Sequence, residues 1–364
     1  MMNLFIICTF IFKNIYSQFP SKYIFDFQDN LYENFIVTVC ISKLTNCFPF
    51  KLSLSVKQVM VLDGENYPGG YKSNESESFK KIDVSLGKPY NDDYIYGRYG
   101  KDTIYLNNTD IAIENFQFII IEKGIKQNNI NFFGVIGIGY VYEYIDKDSG
   151  LLDKILLNAD FKPNCKNLSL MKTKMLIGTE LKSILDISKN KVIKKCKIVQ
   201  DSSYDGLFAC KIQSSFIYDT DYRFVEYIFD EQKVKFSVEQ KDFYVPLDMY
   251  NFVKDIILPK KGNTECFEEI SKRGKHKIKC NFSTTNYAYK NFVHFNLLRR
   301  KIYLIFGNWN IYFNLRDLFN WNGQYLSLMY YERNKDWVFG RQFLEKYILT
   351  IDKNENYIYL TSYN

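Results

Sequence analysis

Apolar residues in this chain come in short runs closed off by polar turns, and that spacing limits the fold more than any other feature. Phe35-Ile36-Val37-Thr38-Val39, Phe50 to Leu54, Gln58 to Leu62 and Phe116 to Ile121 are β-branched or aromatic stretches of strand length. Asn107-Asn108 marks a turn between two such runs. Windows with helical spacing are few. They are Leu151 to Leu157, Asp248 to Leu258 (with Met249, Phe252, Val253, Ile256 and Ile257 on one stripe) and Arg341 to Tyr347. A chain of 364 residues built this way is expected to be mostly β, with barrels or sandwiches arranged in two lobes and a few short helices.

The composition is globular. Apolar residues make up 46% and charged residues 24%, which excludes disordered, collagenous and fibrous classes. Aromatic residues reach 18%, with 30 Tyr and 31 Phe. Asn, Ile and Lys are also abundant, so AT-rich codon usage and core filling account for most of the rings without a binding surface. The net charge of +7 is spread along the chain. Its densest basic cluster, Lys272-Arg273-Gly274-Lys275-His276-Lys277, lies between Cys266 and Cys280 and reads as a solvated hairpin tip. No nucleic-acid partner is expected from it.

The N-terminus carries an apolar run from Leu4 to Phe12, then Lys13 to Ser17 and a polar stretch. The run is too short for a bilayer, which needs about 20 residues. It reads as a secretory signal, residues 1–17, cleaved after Ser17, with a buried N-terminal strand as the alternative. No later stretch is long enough for a membrane helix, so a secreted, extracellular monomer is expected. Four glycosylation triplets fit that compartment, at Asn74, Asn107, Asn167 and Asn281. Cys40 with Cys47, and Cys266 with Cys280, are placed to close small loops in an oxidising environment. Cys165, Cys196 and Cys210 leave one thiol over; Cys196 with Cys210 is the preferred pair, although spacing does not settle connectivity. There is no CxxC, and His276 and His294 are the only histidines, so neither zinc nor another cofactor is expected. A Ser-His-Asp hydrolase would have two candidate bases and no nucleophile elbow.

A faint internal repeat adds an architectural expectation. Leu54-Ser55-Val56-Lys57-Gln58 recurs as Phe236-Ser237-Val238-Glu239-Gln240, each after an alternating strand pattern, Phe50 to Ser53 and Lys233 to Lys235. The separation is a little over half the mature chain, as two related lobes would require.

Further segments resemble the pepsin-like aspartic peptidases in the same chain order. Asp336-Trp337-Val338-Phe339-Gly340-Arg341-Gln342-Phe343, through Tyr347 to Asp352, is similar to that family's last apolar-Gly loop, short helix and closing strands. Phe133-Gly134-Val135-Ile136-Gly137-Ile138-Gly139-Tyr140 is similar to its N-lobe counterpart. Gly97 to Ile104 resembles the strand after the flap, Met175 to Gly178 the strand joining the lobes, and Tyr244-Val245-Pro246 with the following helix the segment after the second catalytic loop. The resemblance runs from about residue 34 to residue 360 and implies a bilobal fold. It divides the chain into an N-terminal lobe, 18–175, and a C-terminal lobe, 176–364. It also implies the Cys266–Cys280 disulfide.

The catalytic loops depart from the family pattern. Such a peptidase places one Asp-Thr-Gly-type loop in each lobe, and the paired carboxylates share a proton, one activating water and the other polarising the scissile carbonyl. Here Ser55 and Ser237 occupy the two Asp positions, and Lys57 and Glu239 occupy the two Gly positions. A rival register uses Asp63 in Leu62-Asp63-Gly64, but it leaves the second lobe without a partner carboxylate, and Asp-Gly is a common turn. Only Gln18 to Glu33 precede the first core strand, a stretch shorter than the family's covering propeptide. Tyr90 lies near the place of the flap tyrosine, with a surface aromatic as the alternative.

The expectation is therefore a secreted pseudopeptidase without aspartic-peptidase chemistry, whose interlobe cleft still binds an extended peptide or a protein. The alternatives are an active aspartic endopeptidase whose dyad lies in another register, and a structural or glycan-binding protein that uses the fold as a scaffold.

Overall fold

The computed structural model describes residues 23–26, 35–54, 56–90, 93–106, 112–125, 132–139, 150–151, 167–171, 174–178, 184, 194–199, 208–219, 224–227, 232–240, 242–258, 266–271, 274–281, 291, 293, 298–321, 325–331, 335–352 and 355–363. The expected signal segment, Cys8, Cys165 and His294 lie outside these residues. The chain is mostly β, and its contacts divide it into two compact units. One is Met1–Lys195 together with Lys346–Asn364; the other is Cys196–Glu345.

The first unit opens with β1 (Tyr23–Asp26) and continues with β2 (Ile36–Ile41), β3 (Cys47–Ser53), β4 (Val59–Leu62), β5 (Lys80–Tyr90), β6 (Asp93–Leu106), β7 (Ala112–Lys123) and β8 (Gly134–Gly137). Seven of these strands form one sheet in the order β2-β3-β8-β4-β7-β6-β5. A further pairing of β2 with β6, Cys40 opposite Tyr105, closes six of them into a ring. Closure removes two sheet edges that would otherwise need cover. Every residue of β4 and β8 is buried, which explains why Val59-Met60-Val61-Leu62 is continuously apolar rather than alternating. Met60, Leu62, Ile95, Ile119, Ile121 and Val135 fill the ring's interior together with Tyr67. β5 projects beyond the ring as a hairpin with β6, where Tyr90 pairs with Asp93.

After β9 (Asn167–Leu170), β10 (Lys174–Ile177) and β11 (Lys194–Lys197) the chain enters the second unit. Its strands are β12 (Phe208–Lys211), β13 (Ser214–Asp219), β14 (Phe224–Tyr227), β15 (Lys233–Phe236), β16 (Cys266–Ile270), β17 (Lys275–Asn281), β18 (Arg300–Phe306), β19 (Trp309–Asn314), β20 (Asn320–Trp321), β21 (Tyr325–Tyr331) and β22 (Trp337–Phe339). They form three sheets, in the orders β12-β15-β22, β14-β13-β18-β19 and β16-β17-β21-β20. In β18 every second residue is buried, from Ile302 through Leu304 to Phe306, as the alternating pattern requires for a sheet with one dry face. One α-helix, α1 (Leu247–Ile257), follows β15. Pro246 caps it in an extended conformation, Asp248 lies in its first turn, and Met249, Tyr250, Val253 and Ile257 form its buried stripe.

The last two strands, β23 (Tyr347–Asp352) and β24 (Tyr357–Ser362), return to the first unit. β23 pairs with β9, Leu349 opposite Leu170, and the six-stranded sheet runs β1-β10-β9-β23-β24-β11. Ser169 and Thr350 share a buried hydroxyl–hydroxyl hydrogen bond of 2.9 Å at this seam.

Among the described residues there are three disulfides. Cys40–Cys47 and Cys266–Cys280 each join directly opposed residues of a hairpin, and Cys196–Cys210 is the third. Two expectations need correction. Arg341 to Tyr347 is not an α-helical stretch: Arg341–Glu345 is a 3-10 turn that buries Phe343 and Leu344, and Tyr347 already belongs to β23. Five residues are too few to pass the costly first α-turn before the chain extends again. The basic cluster is also not wholly a hairpin tip. Ser271, Gly274 and Lys275 close the turn, but His276 and Lys277 lie within β17, and His276 is largely covered. In the Leu151 to Leu157 window only Leu151 is described, and it is helical. Among the described residues no helix is long and apolar enough to cross a membrane.

Candidate functional site

The repeated pentapeptides occupy matching places in the two units. In the first unit β3 pairs in parallel with β8, Leu52 opposite Ile136, and β4 pairs with β8 antiparallel, Val59 opposite Ile136. Thus β8 runs between the strands on either side of the Leu54 to Gln58 loop. In the second unit β15 pairs in parallel with β22, Val234 opposite Trp337. Tyr244, after the Phe236 to Gln240 loop, bridges antiparallel to Val338 of β22. Leu52 and Val59 both stand opposite Ile136, and Lys235 and Tyr244 both stand opposite Val338, so the two loops share a parallel-then-antiparallel strand arrangement although their registers differ.

In the first loop Ser55 lies outside the described residues. Its neighbours are held by backbone bonds from the end of β8 and the residues after it. Ile138 N donates to Ser53 O at 2.8 Å, Gly139 N to Val56 O at 2.8 Å and Gly137 N to Gln58 O at 3.1 Å. The crossing is tight enough to demand glycine: a Cβ at Gly137 would run into Gln58 O, and one at Gly139 into Leu54 O. Lys57 is half-buried.

In the second loop Ser237 is 5% exposed. Its backbone N donates to Phe339 O at 2.9 Å, and Arg341 N donates to Gln240 O at 2.9 Å. The hydroxyl donates to Glu239 Oε2 at 3.1 Å and accepts from Gln240 N at 3.2 Å. Tyr244 OH donates to Gln240 Oε1 at 3.3 Å. The serine oxygen is thus both donor and acceptor within its own turn, bracing the loop. Glu239, standing where the resemblance implies glycine, supplies the carboxylate.

Asp63 lies at the end of β4, buried, with Asn66 Nδ2 donating to its Oδ2 at 2.6 Å. The Asp63 backbone carbonyl accepts from Asn66 N and Tyr67 N, so the residue opens a turn that its carboxylate braces through the Asn66 side chain. Tyr90 ends β5 at the hairpin beside Asp93. Asn74 is exposed in the 3-10 turn Ser73–Glu75, Asn167 opens β9 opposite Asp352, and Asn281 ends β17 opposite Tyr325. Asn107 lies outside the described residues.

Two polar clusters escaped the sequence reading. In the first unit Asp102 is buried and accepts from Tyr71 OH at 2.6 Å, Ser76 Oγ at 2.7 Å, Ser78 Oγ and the Thr103 backbone N at 2.7 Å. Burial first, and the neighbouring Asp102 second, push the Tyr71 hydroxyl far above the ordinary tyrosine range. In the second unit Glu268 is shared by Tyr250, Lys254 and His276. Burial would raise the Glu268 carboxyl, but hydrogen bonds from Lys254, His276 and Tyr250 outweigh it and hold the group below the usual carboxylate range. Neither cluster has a local motif: the first joins Asp102 of β6 to side chains from the segment between β4 and β5, and the second joins α1 to β16 and β17.

No family model matches the chain, and a search of curated proteins finds no relative.

Proposed function

We propose that this protein is a secreted pseudopeptidase of the pepsin-like fold, binding an extended peptide or a protein ligand in the interlobe cleft that such a fold carries. The observation that carries the reading is the pair of matching loops. Each follows a strand that pairs in parallel with the segment crossing beneath the loop, and each contains serine at the position where the resemblance implies the catalytic aspartate. The chemistry of the second loop supports the loss of activity. An alcohol braced between Glu239 and the Gln240 N–H is not a carboxylic acid, and it cannot share a proton with a second carboxyl to activate water. Three disulfides agree with an oxidising compartment.

Acid-pH proteolysis with the purified mature chain tests the proposal. Incubation with a denatured protein leaves the substrate intact, with and without a pepstatin-type inhibitor, while calorimetry against a library of extended peptides detects binding. Inhibitor-sensitive cleavage would overturn the reading in favour of an active endopeptidase. Absence of peptide binding, with glycan binding in its place, would favour a scaffold role.

A further inference from the structure

The second unit gathers four titratable side chains where α1 lies over the β16-β17-β21 face, in a cluster that the proposed function does not use. Glu268 of β16 is its centre. Its Oε1 accepts from Tyr250 OH of α1 at 3.1 Å and lies 3.2 Å from Nδ1 of His276 on β17. Its Oε2 is taken by Lys254 Nζ, also from α1. The imidazole packs against the rings of Tyr250, at 6.1 Å, and Tyr330 of β21, at 5.5 Å. Glu268 is 19% exposed and His276 17%, so solvent screens this pair only in part.

The charged groups around the imidazole come from every packed element. α1 presents Lys254, β16 presents Glu268, and β21 presents the neutral Tyr330. Lys275 and Lys277 flank His276 on β17 and, by strand alternation, belong to the opposite face, where Lys279 pairs with Glu269. The anion is therefore the nearest charge to Nδ1, with Lys254 opposing from the far oxygen. A neutral imidazole offers Glu268 an ordinary N–H bond. A protonated one offers a charge-assisted bond, roughly twice as strong.

We propose that His276 is a pH-operated clamp, which on gaining a proton tightens the Glu268-centred contact that ties the β16–β17 hairpin to α1. The direction follows from linkage. A histidine that gains an anionic partner on folding adds stability that is fully present below its unfolded value of about 6.5 and is lost as pH rises from there through the raised value it has in the fold. Glu268, held below the usual carboxylate range, is still an anion when the histidine charges. The clamp acts on a useful element. α1 follows directly on Tyr244-Val245-Pro246, and Tyr244 is bonded to Gln240 of the Ser237 loop, so the loop is steadied in weak acid and released toward neutrality.

The test is a proton NMR titration of the imidazoles in the full mature chain. With two histidines present, a His276→Gln variant assigns the signals. The His276 midpoint is expected to fall in Glu268→Gln and to rise in Lys254→Met, which removes the competing cation and keeps the anion. The thermal stability gap between the wild-type chain and His276→Gln is expected to be wider near pH 5.5 than near pH 7.5, on either side of the ordinary histidine range of about 6.5. A midpoint that stays fixed in Lys254→Met, or that does not fall in a folded Glu268→Gln, overturns the clamp, and so does an equal stability gap at both pH values.

Discussion

Lys235 Nζ lies 3.1 Å from Asp336 Oδ2, with only 5% of the lysine side chain exposed, at the point where β15 and β22 begin their parallel pairing. Asp336 Oδ1 also accepts the Lys233 backbone N at 3.1 Å, and the adjacent Trp337 Nε1 donates to Gln232 Oε1 at 3.1 Å. A parallel pair has no hairpin turn to set its register, so these side chains do it. Removing one partner of a buried pair strands the other charge, and Asp336→Ala is expected to cost about 3 kcal/mol in urea unfolding. Replacing both with Lys235→Met and Asp336→Leu is expected to restore most of that loss. A double variant as unstable as the single one would mean that the pair is not what matters at this position.

Tyr71→Phe takes one hydrogen-bond donor from the buried Asp102 carboxylate. The expected cost is about 2 kcal/mol at neutral pH, within the range for an under-bonded buried acceptor. The wild-type chain should also lose stability in alkali. Tyr71 in the fold resists ionising, whereas the unfolded chain releases that proton near pH 10, so stability present below about pH 10 drains away above it. In Tyr71→Phe this part of the alkaline slope should vanish, and chemical denaturation between roughly pH 8 and 11 measures it against the ordinary tyrosine value.

Reduction of Cys266–Cys280 releases a hairpin with a sequence separation of 14, and a loop of that size is worth about 3 kcal/mol. The Cys266→Ser, Cys280→Ser double variant is expected to lower the unfolding free energy, read from urea unfolding, by that amount. Non-reducing peptide mapping should recover 40–47, 196–210 and 266–280 as the linked peptides. Recovery of Cys165 in a bridge to Cys196 or Cys210 would refute the third pairing.

Phe339 stands at the centre of the second unit's ring cluster. Its centroid lies 4.9 Å from that of Phe343, 5.2 Å from Phe243, 5.6 Å from Phe313 and 5.8 Å from Phe236. Phe339→Ala is expected to cost about 4 kcal/mol through the lost burial and the cavity left among rings that cannot collapse into it. Phe339→Leu should cost clearly less. Equal losses in the two variants, compared by thermal unfolding, would show that ring packing is not the source.

Those rings also show why parts of the molecule were legible in sequence and others were not. Phe50, Phe116, Phe236 and Tyr244 fall at strand positions that a period-of-two reading finds, and all four are buried. α1 was found within a residue at each end, since Met249, Val253 and Ile257 keep helical spacing over three turns. The repeat around Ser55 and Ser237 marked loops that share one strand arrangement, a parallel pairing before the loop and an antiparallel one after it. Invisible in the linear pattern were contacts between distant segments. Asp102 meets hydroxyls 24 and 26 residues away, and Asp336 pairs with a lysine about a hundred residues upstream. His276 looked solvated because five of its neighbours in sequence are polar or glycine. Its burial comes from α1, which arrives from outside that window.

The seating of β23 against β9 sets an order of assembly. The first unit is discontinuous, and its six-stranded sheet is incomplete until the segment Tyr347–Ser362 has emerged from the ribosome. The second unit, Cys196–Glu345, is contiguous and can close while that seam is still open. Residues made first are therefore finished last. Until then the edge of β9 from Asn167 to Leu170 waits unpaired, and Leu176 lacks its contact with Ile348, an exposed seam for chaperones to hold.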